Sequence, residues 1–176
     1  MKNNSTKHFA YLAMLSAMAI TLSLIESIYI GSFTFGIRIG LANIIALITI
    51  RILGVRDMII VNIMRVFIST LMRGLIFGST FWISLGGVAL SSLVLILLDR
   101  LHSSLMFTSV LCSISHSVGQ VLVVMFFYRQ PAMMAILPYL LLGSIPMGIL
   151  TGTVAGLALK RLKPMRIDQT KKPDHS

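Results

Sequence analysis

The chain has 176 residues, of which 56% are hydrophobic and only 11% are charged. A soluble domain carries about 25% charged residues, so this composition cannot cover a water-exposed surface. The sequence therefore predicts an all-α membrane protein. The net charge of +10 does not indicate nucleic-acid binding, because the cations lie at the ends of apolar segments and in the polar tail, where they face membrane lipids.

Six apolar segments follow one another along the chain, and most are close to the roughly 20 residues that cross a bilayer core. We expect membrane helices at about residues 9–30, 39–53, 58–77, 80–98, 105–127 and 139–159. Residues 1–162 then form one integral membrane domain, and the basic segment 163–176 is predicted to be a disordered cytoplasmic tail. The start of the chain mimics a secretory leader, but its apolar run continues through Ile25, which favours a spanning helix.

The distribution of Lys and Arg predicts the orientation in the membrane. An even number of spans places both termini on one side. That side carries eleven of the fifteen Lys and Arg residues, the opposite loops carry three, and Arg65 lies within a span. Because cytoplasmic loops retain cations, both termini are predicted to be cytoplasmic, in a multi-pass protein of the plasma membrane.

Arg65 lies near the middle of the third apolar segment. A charged side chain at the centre of a membrane helix costs on the order of 2.5–3.5 kcal/mol on insertion scales, so an intramembrane arginine indicates a functional site. The spacing of Asn62, Arg65 and Arg73 puts them on one helical face. In the fifth segment, His116 and Gln120 are one turn apart and also share a face.

The polar side chains of these two helical faces are predicted to meet in the outer half of the membrane. Glu26, Arg38 and Asn43, at the outer ends of the first two segments, are predicted to join them there. They suit a ligand with an anionic group, because guanidinium forks match carboxylate or phosphate. The predicted ligand-binding residues are Arg65, Asn43, His116, Gln120, Arg38, Arg73, Glu26 and Asn62.

Each of these residues also has a structural interpretation. Arg38 and Arg73 can extend to lipid headgroups. His116 and Gln120 can form hydrogen bonds between helices, as polar residues in membrane helices do. Glu26 can pair permanently with an arginine. The ligand interpretation is favoured because a carboxylate, several guanidiniums, a histidine and amides fall at one depth.

Small residues indicate two faces for close helix contact. Ala13 and Ala17 are four residues apart on the first segment, and Gly148, Gly152 and Gly156 form a stripe on the last. Such spacing lets helix backbones approach each other. We expect the glycine stripe to pack inside the protein and the alanine face to contact a partner.

Motifs for several kinds of catalysis are missing. The sequence has no Walker A motif, serine nucleophile elbow or HExxH, and its five acidic residues are scattered rather than grouped for magnesium diphosphate chemistry. The single cysteine, Cys112, excludes an intrachain disulfide and a cysteine-cluster metal site. We expect a transport or binding protein without a cofactor of its own, and not an enzyme.

Three stretches resemble motifs of one bacterial family. Residues 38–44 read RIGLANI, residues 115–120 read SHSVGQ, and the run from Arg65 to residue 87 ends in SLGG. Together they resemble the Gx transporter family, which is also labelled heptaprenyl diphosphate synthase component I. The resemblance extends to about residue 162. The chain has arginine at 38 where lysine is usual, and Ser117 where asparagine is usual, which affects one hydrogen bond near His116.

The family in turn resembles the substrate-binding S components of energy-coupling factor (ECF) transporters. That resemblance implies six helices, cytoplasmic termini and a small-molecule site near the outer face. It also implies that Ala13 and Ala17 contact a transmembrane coupling subunit and that partner ATPases hydrolyse ATP. The expected function is capture of a vitamin or precursor for import.

Two alternatives remain open at this point. The family label suggests a non-catalytic membrane accessory subunit of heptaprenyl diphosphate synthase, in the isoprenoid-quinone pathway. A self-sufficient secondary transporter is the third possibility, and it is disfavoured because six spans without an evident internal repeat are unusual for that class.

Overall fold

The computed structural model describes residues 2–30, 40–129 and 131–162. Every regular element in these ranges is helical. The helices are α1 (Lys2–Ile25), α2 (Leu41–Ile52), α3 (Val55–Met72), α4 (Ser79–Arg100), α5 (Leu105–Tyr128) and α6 (Leu137–Leu162). A π-helical segment, Glu26–Ile30, continues α1, and a 3-10 helix, Pro131–Ile136, precedes α6. The prediction of an all-α protein is confirmed. The tail 163–176 lies outside the described residues.

Four of these helices are long and apolar enough to cross a membrane: α1 with its π-helical extension, α4, α5 and α6. This is the pattern of a multi-pass membrane protein. Helix α2 has only 12 residues, a length of roughly 18 Å at 1.5 Å per residue. Helix α3 carries Arg56, Asp57 and Arg65 within its 18 residues. The six spans and their orientation therefore stay predictions.

The third predicted span, 58–77, is wrong at its outer end, because α3 ends at Met72. Gly74 has a φ of 67°, and its N–H donates to the Leu71 carbonyl at 2.9 Å. A left-handed glycine closes a helix in this way without steric cost. Phe77 also has a positive φ, 59°, so the chain turns there before α4 begins.

Helix α2 is the central helix of the bundle although it is the shortest. All nine residues from Ala42 to Ile50 are buried, and α2 packs against α1, α3, α5 and α6. A helix that is apolar on all sides is stable only when it is enclosed. The main hydrophobic core is built around it, with Leu47 on α2 and Met58 and Val61 on α3 almost fully buried.

Glycines allow the closest approaches between helices. A Cβ on Gly119 of α5 would lie 2.6 Å from the Gly86 carbonyl oxygen of α4, and one on Gly148 of α6 would lie 2.6 Å from the Val110 Cα of α5. Gly152 is similarly close to Ser109 on α5. Gly148 and Gly152 of the glycine stripe thus pack inside the protein, as the spacing predicted, whereas Gly156 is only half-buried.

Hydroxyl pairs reinforce the contact between α5 and α6. Ser109 bonds to Thr151 at 2.8 Å, and Ser117 bonds to Ser144 at 2.6 Å. Interhelical hydrogen bonds of this kind contribute modestly to membrane helix association. Ser117 therefore directs its hydroxyl to α6.

The α4–α5 crossing gives a prediction on stability. Gly119→Ala should lower the free energy of unfolding by about 1–3 kcal/mol, because the new methyl meets backbone atoms that cannot move aside. Gly156→Ala is the matched control, since its Cβ would meet only Leu105 Cδ2 at 3.5 Å, an ordinary contact. Thermal unfolding in detergent, followed by circular dichroism, measures both. Equal unfolding temperatures of the two variants would contradict the close crossing.

Candidate functional site

A polar cleft opens at one end of the bundle, where α1 ends and α2 begins. Its walls come from α1, α2, α3, α4 and α5, and its free volume is about 20 Å³, room for about one water molecule. The lining residues are Ser23, Glu26, Ser27, Gly40, Ala42, Asn43, Arg65, Val66, Ser69, Thr70, Arg73, Ser84, Val88 and His116.

Two contacts with aspartates lie at the opposite end of the bundle. His8 at the start of α1 lies 3.4 Å from Asp57 at the start of α3. Arg51 at the end of α2 lies 3.3 Å from Asp99 at the end of α4. Because these helix ends lie together, the cleft belongs to the other half of the molecule, near the end of α3 that carries Arg73.

Arg65 lies on the inner wall of the cleft and is only 3% exposed. Two of its guanidinium nitrogens donate to the Oδ1 atom of Asn43, each at 3.5 Å. These bonds are long for charge-assisted ones, which are about 2.7–2.9 Å. Asn43 is itself buried, in the first turn of α2. The contact thus brings the charge of α3 to the start of the central helix.

Glu26 fixes the start of α2 from the side of α1. Its carboxylate is 5% exposed and accepts a hydrogen bond from the backbone N–H of Gly40 at 2.5 Å. Gly40 has a φ of 74°, and a Cβ there would lie 3.4 Å from the amide nitrogen of Asn43. Glycine at this position therefore avoids backbone strain.

His116 reaches the cleft because α4 has glycine opposite it. A Cβ on Gly87 would lie 2.9 Å from Cε1 of His116 and 2.8 Å from Cγ of Gln120. The imidazole is 7% exposed and lines the cleft, whereas Gln120 is buried but is not among its lining residues. The SLGG sequence of α4 thus provides the space for the histidine of α5.

Among the side chains that the structure describes, those that line the cleft carry more positive than negative charge. Two guanidiniums, of Arg65 and Arg73, face a single carboxylate, of Glu26. An anionic group is therefore the favoured guest, because arginine binds carboxylate or phosphate in a bidentate geometry. Within residues 2–30, 40–129 and 131–162, no three His, Cys, Asp or Glu side chains form a group that could hold a metal ion.

The structure brings together five of the eight predicted ligand residues: Glu26, Asn43, Arg65, Arg73 and His116 all line the cleft. Asn62 and Gln120 do not. Asn62 lies one turn of α3 further from the cleft and lines a smaller cavity. Arg38 lies outside the described residues. A ligand-binding role for these residues stays a prediction.

Sequence reasoning missed several hydroxyl groups of the cleft. Ser23 and Ser27 lie on α1 and its extension beside Glu26, and Thr70 and Ser84 come from α3 and α4. The signal for Ser23 was its spacing of three residues from Glu26, which puts both on one helical face, and for Ser84 it was the place in the SLGG stretch. Serine and threonine bond to the backbone of their own helix so often that hydroxyls alone do not reveal a site.

Ala13 and Ala17 lie on an exposed face of α1, outside the cleft. Met14 and Met18 on the same helix are also about half exposed. Among the described residues, the alanine pair is therefore left open to a partner or to lipid.

The bundle and its buried charged cleft define a helical membrane protein with a polar interior site. A family model described as heptaprenyl diphosphate synthase component I matches residues 15–158. The chain belongs to this family, as its motifs predicted. A search of curated proteins found no match, and a search of solved structures found none.

Proposed function

We propose that this protein is the membrane-embedded substrate-binding subunit, similar to an S component, of an ECF-type importer. It captures a small anionic vitamin or precursor at the outer face of the bacterial plasma membrane. The observation that carries this proposal is Arg65, a buried guanidinium on the wall of a polar cleft. Charged residues inside membrane proteins are costly and are typical of substrate sites.

The chemistry of the cleft supports a compact ligand with a carboxylate or phosphate. Arg65 and Arg73 supply the positive charge, and Asn43 and His116 supply groups that can orient the ligand. Electrostatic attraction is stronger here than in water, because the cleft lies inside a protein, where the effective dielectric constant is lower than that of water. The small free volume fits a site that opens to admit the ligand and closes around it.

The charges of the described residues support cytoplasmic termini. Among the described residues, the end opposite the cleft carries six Lys and Arg residues, and the cleft end carries Arg73 and Arg129. The six at the opposite end are Lys7, Arg51, Arg56, Arg100, Lys160 and Arg161. Cations concentrate on the cytoplasmic side, so the cleft faces outward in this proposal.

The orientation can be tested by cysteine labelling. In a Cys112→Ser background, Ser176→Cys should stay unreactive to an impermeant thiol reagent in intact cells and become reactive after permeabilisation, because the tail is expected in the cytoplasm. Gln130→Cys, beyond α5, is the matched outward control and should react in intact cells. Labelling of Ser176→Cys in intact cells would reverse the orientation and turn the cleft inward.

Ligand binding at Arg65 has a sharp test. Arg65→Lys should lose affinity although the charge is kept, because the bidentate geometry is lost. Truncating one partner of a buried charge pair costs about 2–5 kcal/mol, which is roughly thirty- to several-thousand-fold in affinity. Mass spectrometry identifies the ligand that co-purifies with the wild-type protein, and titration of that ligand measures the change.

Arg129→Lys provides the control for the Arg65 experiment, because it makes the same substitution away from the lining of the cleft. It should bind like the wild-type protein. Circular dichroism and gel filtration in detergent establish that each variant is folded. Unchanged affinity in folded Arg65→Lys and Arg65→Gln would leave Arg65 a structural residue and remove the main support for the proposal.

The proposed partners are a transmembrane coupling subunit and ATPases, which would use ATP because this chain has no Walker A motif. Ala13 and Ala17 form the exposed smooth face for that contact. Replacing both with Trp should abolish transport and weaken co-purification of the complex, because the helices can no longer approach closely. Binding of ligand by the isolated protein should survive. Normal assembly and transport by the double variant would show that this face is not the contact.

The runner-up function is that of a non-catalytic membrane accessory subunit of heptaprenyl diphosphate synthase. The family name favours it, since a component I implies an association with another component of that enzyme. Purification from native membranes separates the two functions. Co-purifying ATPases support the importer, and a co-purifying soluble prenyl synthase supports the accessory subunit.

A further inference from the structure

The start of α2 is bound to an anion that belongs to the protein itself. The carboxylate of Glu26, in the π-helical segment that continues α1, accepts a hydrogen bond from the backbone N–H of Gly40 at 2.5 Å. Gly40 is the N-cap residue of α2. The first N–H groups of a helix and its dipole attract negative charge. Glu26 therefore lies where the anionic group of a ligand would also be stabilised.

A buried amide of α2 lies against the same glycine. The carbonyl oxygen of Asn43 faces Arg65, because a guanidinium can only donate. The amide nitrogen, Nδ2, lies 3.4 Å from the position that a Cβ of Gly40 would take. The side chain is 6% exposed, and among the described residues Nδ2 has no hydrogen-bond partner. Buried donors are nearly always paired in native proteins, so an acceptor that binds at Gly40 is expected to serve Asn43 as well.

The charges of the cleft limit how many anions it can hold. Glu26 lines the cleft together with Arg65 and Arg73. A carboxylate or phosphate of a ligand is attracted to the same guanidiniums and to the same helix end. Two negative charges that share a site disfavour each other, because each opposes the ionisation of the other. The ligand anion and the Glu26 carboxylate are thus expected to exclude each other from the start of α2.

We propose that Glu26 is a built-in substitute for the anionic group of the ligand, and that a carboxylate or phosphate of the ligand displaces it from Gly40. The incoming anion accepts hydrogen bonds from the Gly40 N–H and from Nδ2 of Asn43, beside the guanidinium of Arg65. One negative charge replaces another, so the charge balance at the start of α2 is kept. This inference rests on the proposed function, because it assigns a place to the anionic group of that ligand.

Displacement gives Glu26 a role in selectivity. A group that is tethered to a site acts at an effective concentration of millimolar or above, so a free anion must compete with it. Inorganic phosphate and acetate have few other contacts to offset that competition. A larger ligand gains contacts with other lining residues, such as Ser84 and His116, and therefore displaces Glu26 more readily. The carboxylate thereby disfavours simple anions at an arginine site.

Calorimetric titration of the full-length protein in detergent, with inorganic phosphate and with acetate, tests this role. Glu26→Gln keeps the size of the side chain and an oxygen that can accept the Gly40 N–H, and it removes the charge. It should bind both anions about tenfold more tightly than the wild-type protein, because a like charge has left the cleft. Asp99→Asn is the matched control. It removes one carboxylate at the opposite end, beside Arg51, and should bind like the wild-type protein.

Equal or weaker binding of both anions by folded Glu26→Gln would overturn the proposal. An equal gain in Asp99→Asn would do so too, since the effect would then come from net charge. The Arg65→Lys experiment with the co-purified ligand keeps this inference apart from the proposed function. Lost affinity in Arg65→Lys, with no gain for simple anions in Glu26→Gln, would reject displacement and leave the substrate-binding function in place.

The wild-type protein alone provides a second test, because Glu26 is the only glutamate in the chain. With isotope labels on the glutamate carboxyl carbon and on the glycine nitrogens, solid-state NMR in lipid bilayers measures the dipolar coupling between Glu26 and Gly40. Inorganic phosphate should weaken this coupling as it takes the place of the carboxylate. A coupling that is unchanged at the highest phosphate concentration at which the protein stays folded would overturn the proposal. This measurement decides the question if Glu26→Gln does not fold.

Discussion

The structure depends on how the charge of Arg65 is accommodated inside an apolar bundle. A guanidinium removed from water and 3% exposed must be surrounded by oxygen atoms, because its desolvation cost is otherwise several kcal/mol. Asn43 supplies a carbonyl oxygen from α2, and hydroxyl groups and the Glu26 carboxylate line the same cleft. Polar residues of four other helices thus gather in the cleft around one charge on α3, and the site follows from this constraint.

Glycine provides the space in which this arrangement fits. The Gly86–Gly87 pair of α4 lies against Gly119 of α5, so the two backbones meet with no side chain between them. This close crossing lets His116 turn toward the cleft. At the opposite wall, Gly40 takes a left-handed conformation and gives its N–H to Glu26. Two kinds of glycine, one for close approach and one for backbone shape, therefore define the cleft from two sides.

Much of this could be predicted from the sequence, because hydropathy reports membrane helices and a single charge stands out against an apolar background. The helices, the face with Arg65, and the meeting of Asn43 with His116 followed from composition and from the 3.6-residue period. The exact position of each residue along its helix could not be predicted. Asn62 and Gln120 share faces with Arg65 and His116, but a displacement of about one turn, 5.4 Å, puts them outside the cleft.

Other features of the site and of α3 were missed for local reasons. Ser23 and Ser27 were missed because a hydroxyl in a membrane helix usually bonds to its own backbone. The end of α3 was missed because apolar residues resume at Leu75 after Arg73 and Gly74, whereas the structure shows that Gly74, with its positive φ, closes the helix.

The enclosed position of α2 has a consequence for how the protein is assembled in the cell. A helix of 12 residues cannot span a hydrocarbon core of about 30 Å by itself, and its ends would leave backbone groups unsatisfied in lipid. It gains its stability from the helices around it, two of which, α5 and α6, are synthesised last. Insertion of the longer helices must therefore precede the final placement of α2. The site, whose Asn43 sits on that helix, is completed only when the C-terminal half of the chain has left the ribosome.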